Sequence, residues 1–243
     1  MNFYAVIIGT EILNARREDK HFKFVQKELA NYGHQLFASF ILKDDKELIE
    51  NIYKLVKNDK NSVLFSFGGI GSTPDDLTRD IASNIFTNSP TLRHKQFEKD
   101  IIERFNDEAY PHRISMADLP PNSTLLFNPI NNMSGFSLED RFFFVPGFPQ
   151  MAHPMISEVI KNKFSSCKKI FRYTLLAQTS ENTLISLMQQ VPKNIELSSL
   201  PILKDDTPSV ELSLSAYDKK DVEYIFNLFI NQLKVQNIEY KLM

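Results

Sequence analysis

The segment FSFGGIGSTPDDLTRD, residues 65–80, holds Gly68, Gly69 and Gly71, three of only seven glycines in 243 residues, with Asp75 and Asp76 close behind. Glycines at a strand-to-helix turn let the backbone enter φ > 0. They also let a ligand's phosphates approach main-chain amides without a Cβ in the way. The spacing is neither GxGxxG nor GxxxxGK[ST], which sets aside the dinucleotide fingerprint and the P-loop. Ser72 or Thr73 is placed to cap a following helix, Pro74 suits its first position, and Asp75 and Asp76 then fall in its first turn. Two chemistries stay open for the carboxylates. They can favour the positive end of the helix dipole, or hold a divalent metal that bridges carboxylate and phosphate and relieves their repulsion.

Two other turns carry the same punctuation. Gly9, Thr10 and Glu11 end the apolar run FYAVIIG, and Pro146, Gly147 and Pro149 separate the run FFFV from a helix. Three glycine-containing strand ends in one domain predict a shared crevice beyond the carboxyl ends of the strands. His21 is expected at the surface or half-buried. The alternative is that, with Arg16 and Arg17, it meets an anionic ligand. His112 and Arg113 read as a solvated loop or a substrate-contacting flap, His153 as structural or interfacial. Cys167 lacks the surroundings of a nucleophile.

The elements that must position these residues alternate. Apolar runs at 3–9, 34–42 and 62–67 read as buried strands. Helices follow each: one with Phe22, Val25, Leu29 and Tyr32, one opened by Asp44 with the stripe Leu48, Ile52, Leu55 and Val56, and one over 74–86. That order indicates an α/β domain with a mostly parallel sheet. A helix over about 91–108, strands in 124–129, 135–139 and 141–145, and a helix over about 150–164 complete it. Beyond a polar, basic linker at 162–169 the pattern is β-α-β-β-α-β, the ferredoxin-like order, with one helix over 180–191. The expected domains are 1–166 and 167–243.

A formal net charge of −2 gives no reason to expect nucleic acid or an anionic membrane as partner. The single cysteine excludes an internal disulfide and fits a reducing compartment. With neither a leader-like start nor a run of about 18 apolar residues, the expectation is a soluble, cytoplasmic protein.

GTE at 9–11, GGIGSTPDDLT at 68–78, NP at 128–129, GF at 135–136 and VPGFPQMAHPM at 145–155 occur in a series. Together they resemble the molybdopterin-binding, MogA/MoaB-like domain in the version found in the competence/damage-inducible CinA proteins. The segment from about 170 onward resembles their small ferredoxin-like domain. The resemblance implies a three-layer α/β/α domain whose site holds a pterin or nucleotide, and self-association as a dimer or trimer. It also implies metal-dependent (Mg2+, Mn2+ or Co2+) hydrolysis of an ADP-ribose-like phosphoanhydride. The alternatives are a non-catalytic pterin- or nucleotide-binding protein, or adenylyl transfer to molybdopterin.

By position, Gly68, Gly69 and Gly71 would cradle phosphate, and Asp76 would be the essential acid and metal ligand, with Asp75 beside it. Asp44 matches the family's acid after the second strand. Thr10, Glu11, Ser72, Thr73, Pro146 and Gly147 would line the crevice. Ala15 stands where the family carries a glycine, with Asp19 and His21 near its usual asparagines, which points to a changed ligand. Asn131 replaces another common glycine, a position Asn tolerates in αL. CinA proteins carry an amidohydrolase domain after the small domain. This sequence ends at Met243, so that activity is not expected of it.

Overall fold

A computed structural model describes residues 1–165, 169–204 and 207–243; Cys167 lies outside them. Two compact units divide the chain, Met1–Ser166 and Cys167–Met243. In the first, β1 (Asn2–Ile8), β2 (Leu36–Leu42) and β3 (Ser62–Phe67) alternate with α1 (Thr10–Leu13), α2 (His21–Asn31), α3 (Lys46–Asn58) and α4 (Thr78–Ala82). The short strands β4 (Leu92–Arg93) and β5 (Asp118–Leu119) flank α5 (Lys95–Phe105). Then follow β6 (Thr124–Leu126), β7 (Gly135–Leu138), β8 (Phe142–Val145) and α6 (Pro149–Lys163).

The main sheet runs β2-β1-β3-β8-β7-β6. Strands β2, β1, β3 and β8 are parallel, while β7 and β6 continue antiparallel. Alternation along β1 makes three layers. Tyr4, Val6 and Ile8 face a core shared with Ile49 and Tyr53 of α3, Ile81 of α4 and Ile101 of α5. Phe3, Ala5 and Ile7 face the opposite core, shared with Val25 and Leu29 of α2 and Ile156 and Ile160 of α6. This is the expected α/β/α sandwich, and β1 and β3 read as uninterrupted apolar runs because both their faces are covered.

The second unit holds β9 (Phe171–Ala177), α7 (Ile185–Met188), β10 (Glu196–Lys204), β11 (Thr207–Ala216), α8 (Lys219–Val235) and β12 (Tyr240–Leu242). Its sheet order, β10-β11-β9-β12, is antiparallel throughout, as a ferredoxin-like unit requires. The helix expected over 180–191 is instead a 3-10 turn, Glu181–Thr183, followed by the single turn of α7.

Three further expectations shift. The apolar stripe of α3 is Ile49, Tyr53 and Val56, whereas Leu48 and Leu55 are exposed. Asp45, not Asp44, caps that helix, accepting from the Leu48 amide at 2.9 Å. Near the expected glycine substitute, the left-handed residue is Asn132, at φ 58°; Asn131 instead accepts the Asn128 side-chain amide at 2.7 Å.

Candidate functional site

In the order β2-β1-β3-β8, the parallel strands finish side by side, with Leu42 opposite Ile8 and Val145 opposite Phe67. Their following segments therefore share one edge of the sheet: 43–45, Gly9–Glu11, Gly68–Asp76 and Pro146–Phe148. Neighbouring strands lie about 4.8 Å apart, so the topology gathers the expected site residues at one end. One contact is direct: a Cβ built on Gly147 would sit 3.4 Å from the Gly68 Cα.

The glycine loop departs from its expected start. The helix begins at Thr78, and Pro74 and Asp75 form a turn before it, closed by the Asp76 amide donating to the Thr73 carbonyl at 3.0 Å. Asp75 and Asp76 are therefore not in a first helical turn, and neither Ser72 nor Thr73 caps the helix. The cause is local. The Thr78 amide donates to the Gly69 carbonyl at 2.9 Å, and the Thr73 side chain is engaged by Asp76. After one turn the helix widens into a π turn over Ser83–Thr87.

The glycines also have a cause that the sequence did not reveal. Gly68 and Gly69 take φ +98° and +69°, which disfavours any side chain. A Cβ on Gly68 would meet the Ile8 carbonyl oxygen at 2.5 Å, and one on Gly71 would meet Asp76 Oδ2 at 2.5 Å. On Gly69 it would overlap the Thr78 hydroxyl. The chain's own atoms fill the space where a ligand was expected to approach. What the loop offers a ligand is its amides.

Four successive carbonyls explain how. Gly68 O accepts the Thr78 hydroxyl at 2.9 Å, and Gly69 O accepts the Thr78 amide. Ile70 O and Gly71 O both accept the Arg79 guanidinium. These peptides are trans, and in a trans plane C=O and N–H point in opposite directions. The N–H groups of Gly69, Ile70, Gly71 and Ser72 therefore face away from Thr78 and Arg79. Among the described residues they donate to no group of the chain. Successive amides left unpaired in this way attract anions.

Arg79 escaped the sequence reading, because TRD within a helical pattern looks like a solvated face. It is only 9% exposed. Burial pulls its pKa below the ordinary value, while Asp76, Asp80 and Asp118 act in the opposite direction. Its cation lies behind the amides and adds to their attraction for an anion in front. Below Thr78, the buried Tyr53 hydroxyl meets the Ser66 hydroxyl at 2.7 Å, and burial pushes the phenol pKa up.

Two threonine–aspartate clasps border the row. Asp76 Oδ2 accepts from the Thr73 amide at 2.8 Å and its hydroxyl at 2.6 Å. Asp44 Oδ2 accepts from the Thr10 amide at 2.9 Å and its hydroxyl at 2.8 Å. In both, Oδ1 is left without a hydrogen bond from the described residues. Asp75 is exposed.

Glu11 folds over Gly9, where a Cβ would come within 3.0 Å of its carboxylate. Its carboxylate lies 4.0 Å from the Arg17 guanidinium. Ala15, at the expected glycine position, adopts φ 59°, so the left-handed turn is kept without its favoured residue.

His21 overturns the surface expectation. It is 3% exposed, stacked on Phe67 with centroids 4.4 Å apart. Its Nε2–H donates to Gly147 O at 3.2 Å. His153 stands edge-on to it at 5.2 Å and stacks on Phe24 at 3.8 Å. Among the described residues, His21 Nδ1 and His153 Nε2 find no hydrogen-bond partner. Burial lowers the His21 pKa and is the main cause holding His153 at about 4. Both imidazoles are therefore neutral props beneath the Gly147 turn, not cations facing an anion. His112 and Arg113 lie instead by α5, where Arg113 sits over the Phe105 ring at 4.5 Å and pairs with Glu108.

Among the described residues no three of His, Cys, Asp and Glu gather to hold a metal ion, and no helix is long and apolar enough to cross a membrane. A Mg2+-like ion that keeps several waters and takes one or two carboxylates with a ligand's phosphates fits Asp76 Oδ1 beside the amide row.

Residues 4–165 match the family described as the probable molybdopterin binding domain. A CinA-like protein of Desulfotalea psychrophila is 28% identical over 233 residues, covering 90% of this chain and 54% of that protein. A Clostridium kluyveri protein named for competence-damage induction is 29% identical over 160 residues, 63% of this chain and 38% of its own. The chain thus spans about half or less of these two relatives. A Sulfolobus acidocaldarius protein is 25% identical over 253 residues, covering 96% of this chain and 94% of that one. The crystal structure of the protein CinA from Thermoplasma acidophilum superposes with a TM-score of 0.60 at 22% identity, covering 67% of this chain and 98% of that one. That likeness supports the fold.

Proposed function

The chain belongs to the family of probable molybdopterin binding domains, and from that premise we propose that its amide row anchors the phosphate of a pterin or nucleotide. With a divalent metal, we propose that the same site hydrolyses the phosphoanhydride of an ADP-ribose-like nucleotide. The observation that carries the reading is the run of four outward amides, Gly69 to Ser72, whose carbonyls are held from behind by Thr78 and Arg79.

The chain's own part is charge placement. The amides and the buried Arg79 cation are fixed before a ligand arrives, so charge developing on phosphate oxygens is met without reorganisation. Thr73 takes up Asp76 Oδ2 and leaves Oδ1 for the metal, with exposed Asp75 adjoining. Asp44, fixed by Thr10, presents a second Oδ1 from the end of β2. A bound Mg2+, Mn2+ or Co2+ supplies charge neutralisation and a water of lowered pKa there. Without it, Asp76 and a phosphate repel each other.

The second reading, a pterin- or nucleotide-binding protein without catalysis, is favoured by the clasps. Each carboxylate already has a structural task, positioning a loop.

The test is incubation with ADP-ribose and Mg2+, Mn2+ or Co2+, following AMP, alongside Asp76→Asn. The hydrolase reading expects AMP release with a divalent ion and at least a hundredfold loss in Asp76→Asn. Turnover unaffected by the substitution contradicts the metal site. Saturable binding without turnover in any metal selects the second reading.

A further inference from the structure

Phe148 is 47% exposed, and it follows Gly147, which packs against Gly68 where the amide row starts. Its backbone is fixed: the Phe148 carbonyl accepts the amides of Met151 and Ala152 at 2.9 Å as α6 begins. Beneath the turn, His21 holds the Gly147 carbonyl. A large apolar ring thus stands on a fixed backbone at the end of β8, beside the start of the amide row, with half its surface facing water. The Arg17 guanidinium lies 5.8 Å from the ring centroid, near the outer limit of about 6 Å for a cation–π contact. Its side chain is 61% exposed, and its carboxylate neighbour Glu11 is 4.0 Å away. The amides of Arg16 and Arg17 fold back onto the Glu11 carbonyl at 2.9 and 3.0 Å, which anchors the arginine's base while its head stays loose.

We infer that Phe148 and Arg17 form the seat of a planar heteroaromatic ring, such as the purine or pterin of a phosphorylated ligand. The inference rests on the reading that a phosphate occupies the amide row. An aromatic face beside a phosphate site is sequence-tolerant for any flat base, and an arginine can cover the opposite face or follow the ligand's charge. The fixed backbone matters here, because a phenylalanine has only two side-chain torsions left to lose on stacking. The seat therefore selects ring-bearing phosphates over sugar phosphates, and it acts in positioning rather than in bond cleavage.

The chain contains no tryptophan, so Phe148→Trp introduces a single fluorescent reporter at the seat. AMP and ADP-ribose are expected to quench it on binding, whereas ribose 5-phosphate and inorganic pyrophosphate, followed by calorimetry, bind without quenching. Phe148→Ala should weaken ADP-ribose about tenfold, the size of one stacked base, and leave pyrophosphate affinity unchanged. Arg17→Ala should weaken ring-bearing ligands by a few-fold.

Unchanged ADP-ribose affinity in Phe148→Ala, with pyrophosphate still bound, overturns the seat and leaves the phosphate reading standing. Equal losses for ring-bearing and ring-free ligands make Phe148 structural and overturn the seat likewise. Quenching by AMP without any pyrophosphate binding supports the seat and counts against the amide row as the phosphate anchor.

Discussion

The segments after β3 and after β1 run along the same sheet edge, yet they are built in opposite ways. The first, Gly68–Asp76, is held by four carbonyl contacts from behind and by glycines whose Cβ positions the chain itself occupies. The second, Gly9–Lys20, is mostly exposed and rests on the Thr10–Asp44 clasp, a loose Arg17–Glu11 pair and a left-handed alanine. The difference separates two tasks. A rigid loop can present fixed charge to a group common to many ligands, whereas a lightly held one can change residues and so change which ligand is accepted. Ala15, where the resemblance leads one to expect a glycine, lies in the second segment.

Substitutions can break the contrast at its strongest point first. Gly68→Ala combines a φ of +98° with a Cβ 2.5 Å from a strand carbonyl, and should cost about 4 kcal/mol. Gly147→Ala, at 3.4 Å from the nearest atom, should cost under about 1 kcal/mol. Urea unfolding midpoints of the pair check both. Equal costs would show that the glycine loop is no tighter than its neighbour.

Arg79→Met leaves the Ile70 and Gly71 carbonyls without their donor. It should cost about 3 kcal/mol and lower phosphate affinity, because the peptides it fixes can then rotate. Stability loss with unchanged pyrophosphate affinity in calorimetry would separate the clamp from the anion site.

Relief of strain in the exposed segment should be smaller and of opposite sign. Ala15→Gly removes the Cβ penalty at φ 59° and should stabilise by about 1 kcal/mol, read from the same urea curves.

A pH effect is read from a separate set of unfolding curves. The His21 pKa is lowered by burial, and His153 is held at about 4 against an ordinary 6.5. Below about pH 6.5 the unfolded chain takes up protons that the folded chain refuses, so stability falls as pH drops from about 6.5 to about 4. His153→Gln should flatten that part of the stability curve, and an unchanged slope would assign it to other groups.

The sequence made the alternation of strands and helices legible, because apolar runs ended by glycine are direct consequences of strands covered on both faces. It also foreshadowed the meeting of three turns, since strand order in such a sheet sends GTE, GGIG and PGFP to one end. It could not show where α4 begins. The loop's bonds to Thr78 and Arg79 are tertiary, and they override the favourable start at Ser72–Pro74. Arg79 was hidden for the same reason: a guanidinium serving backbone carbonyls leaves no signature in spacing. His21 looked solvated among charged neighbours in REDKHFKF, and only the packing of α2 against Phe67 turns it inward.

The central claim is that the glycine loop holds an anion through four outward amides. Titrating the 15N-labelled protein with inorganic pyrophosphate and following backbone amide shifts tests it most directly. The account predicts saturable shifts concentrated at Gly69, Ile70, Gly71 and Ser72, absent in Arg79→Met. Saturable binding that leaves those four amides unmoved while shifting others would contradict it.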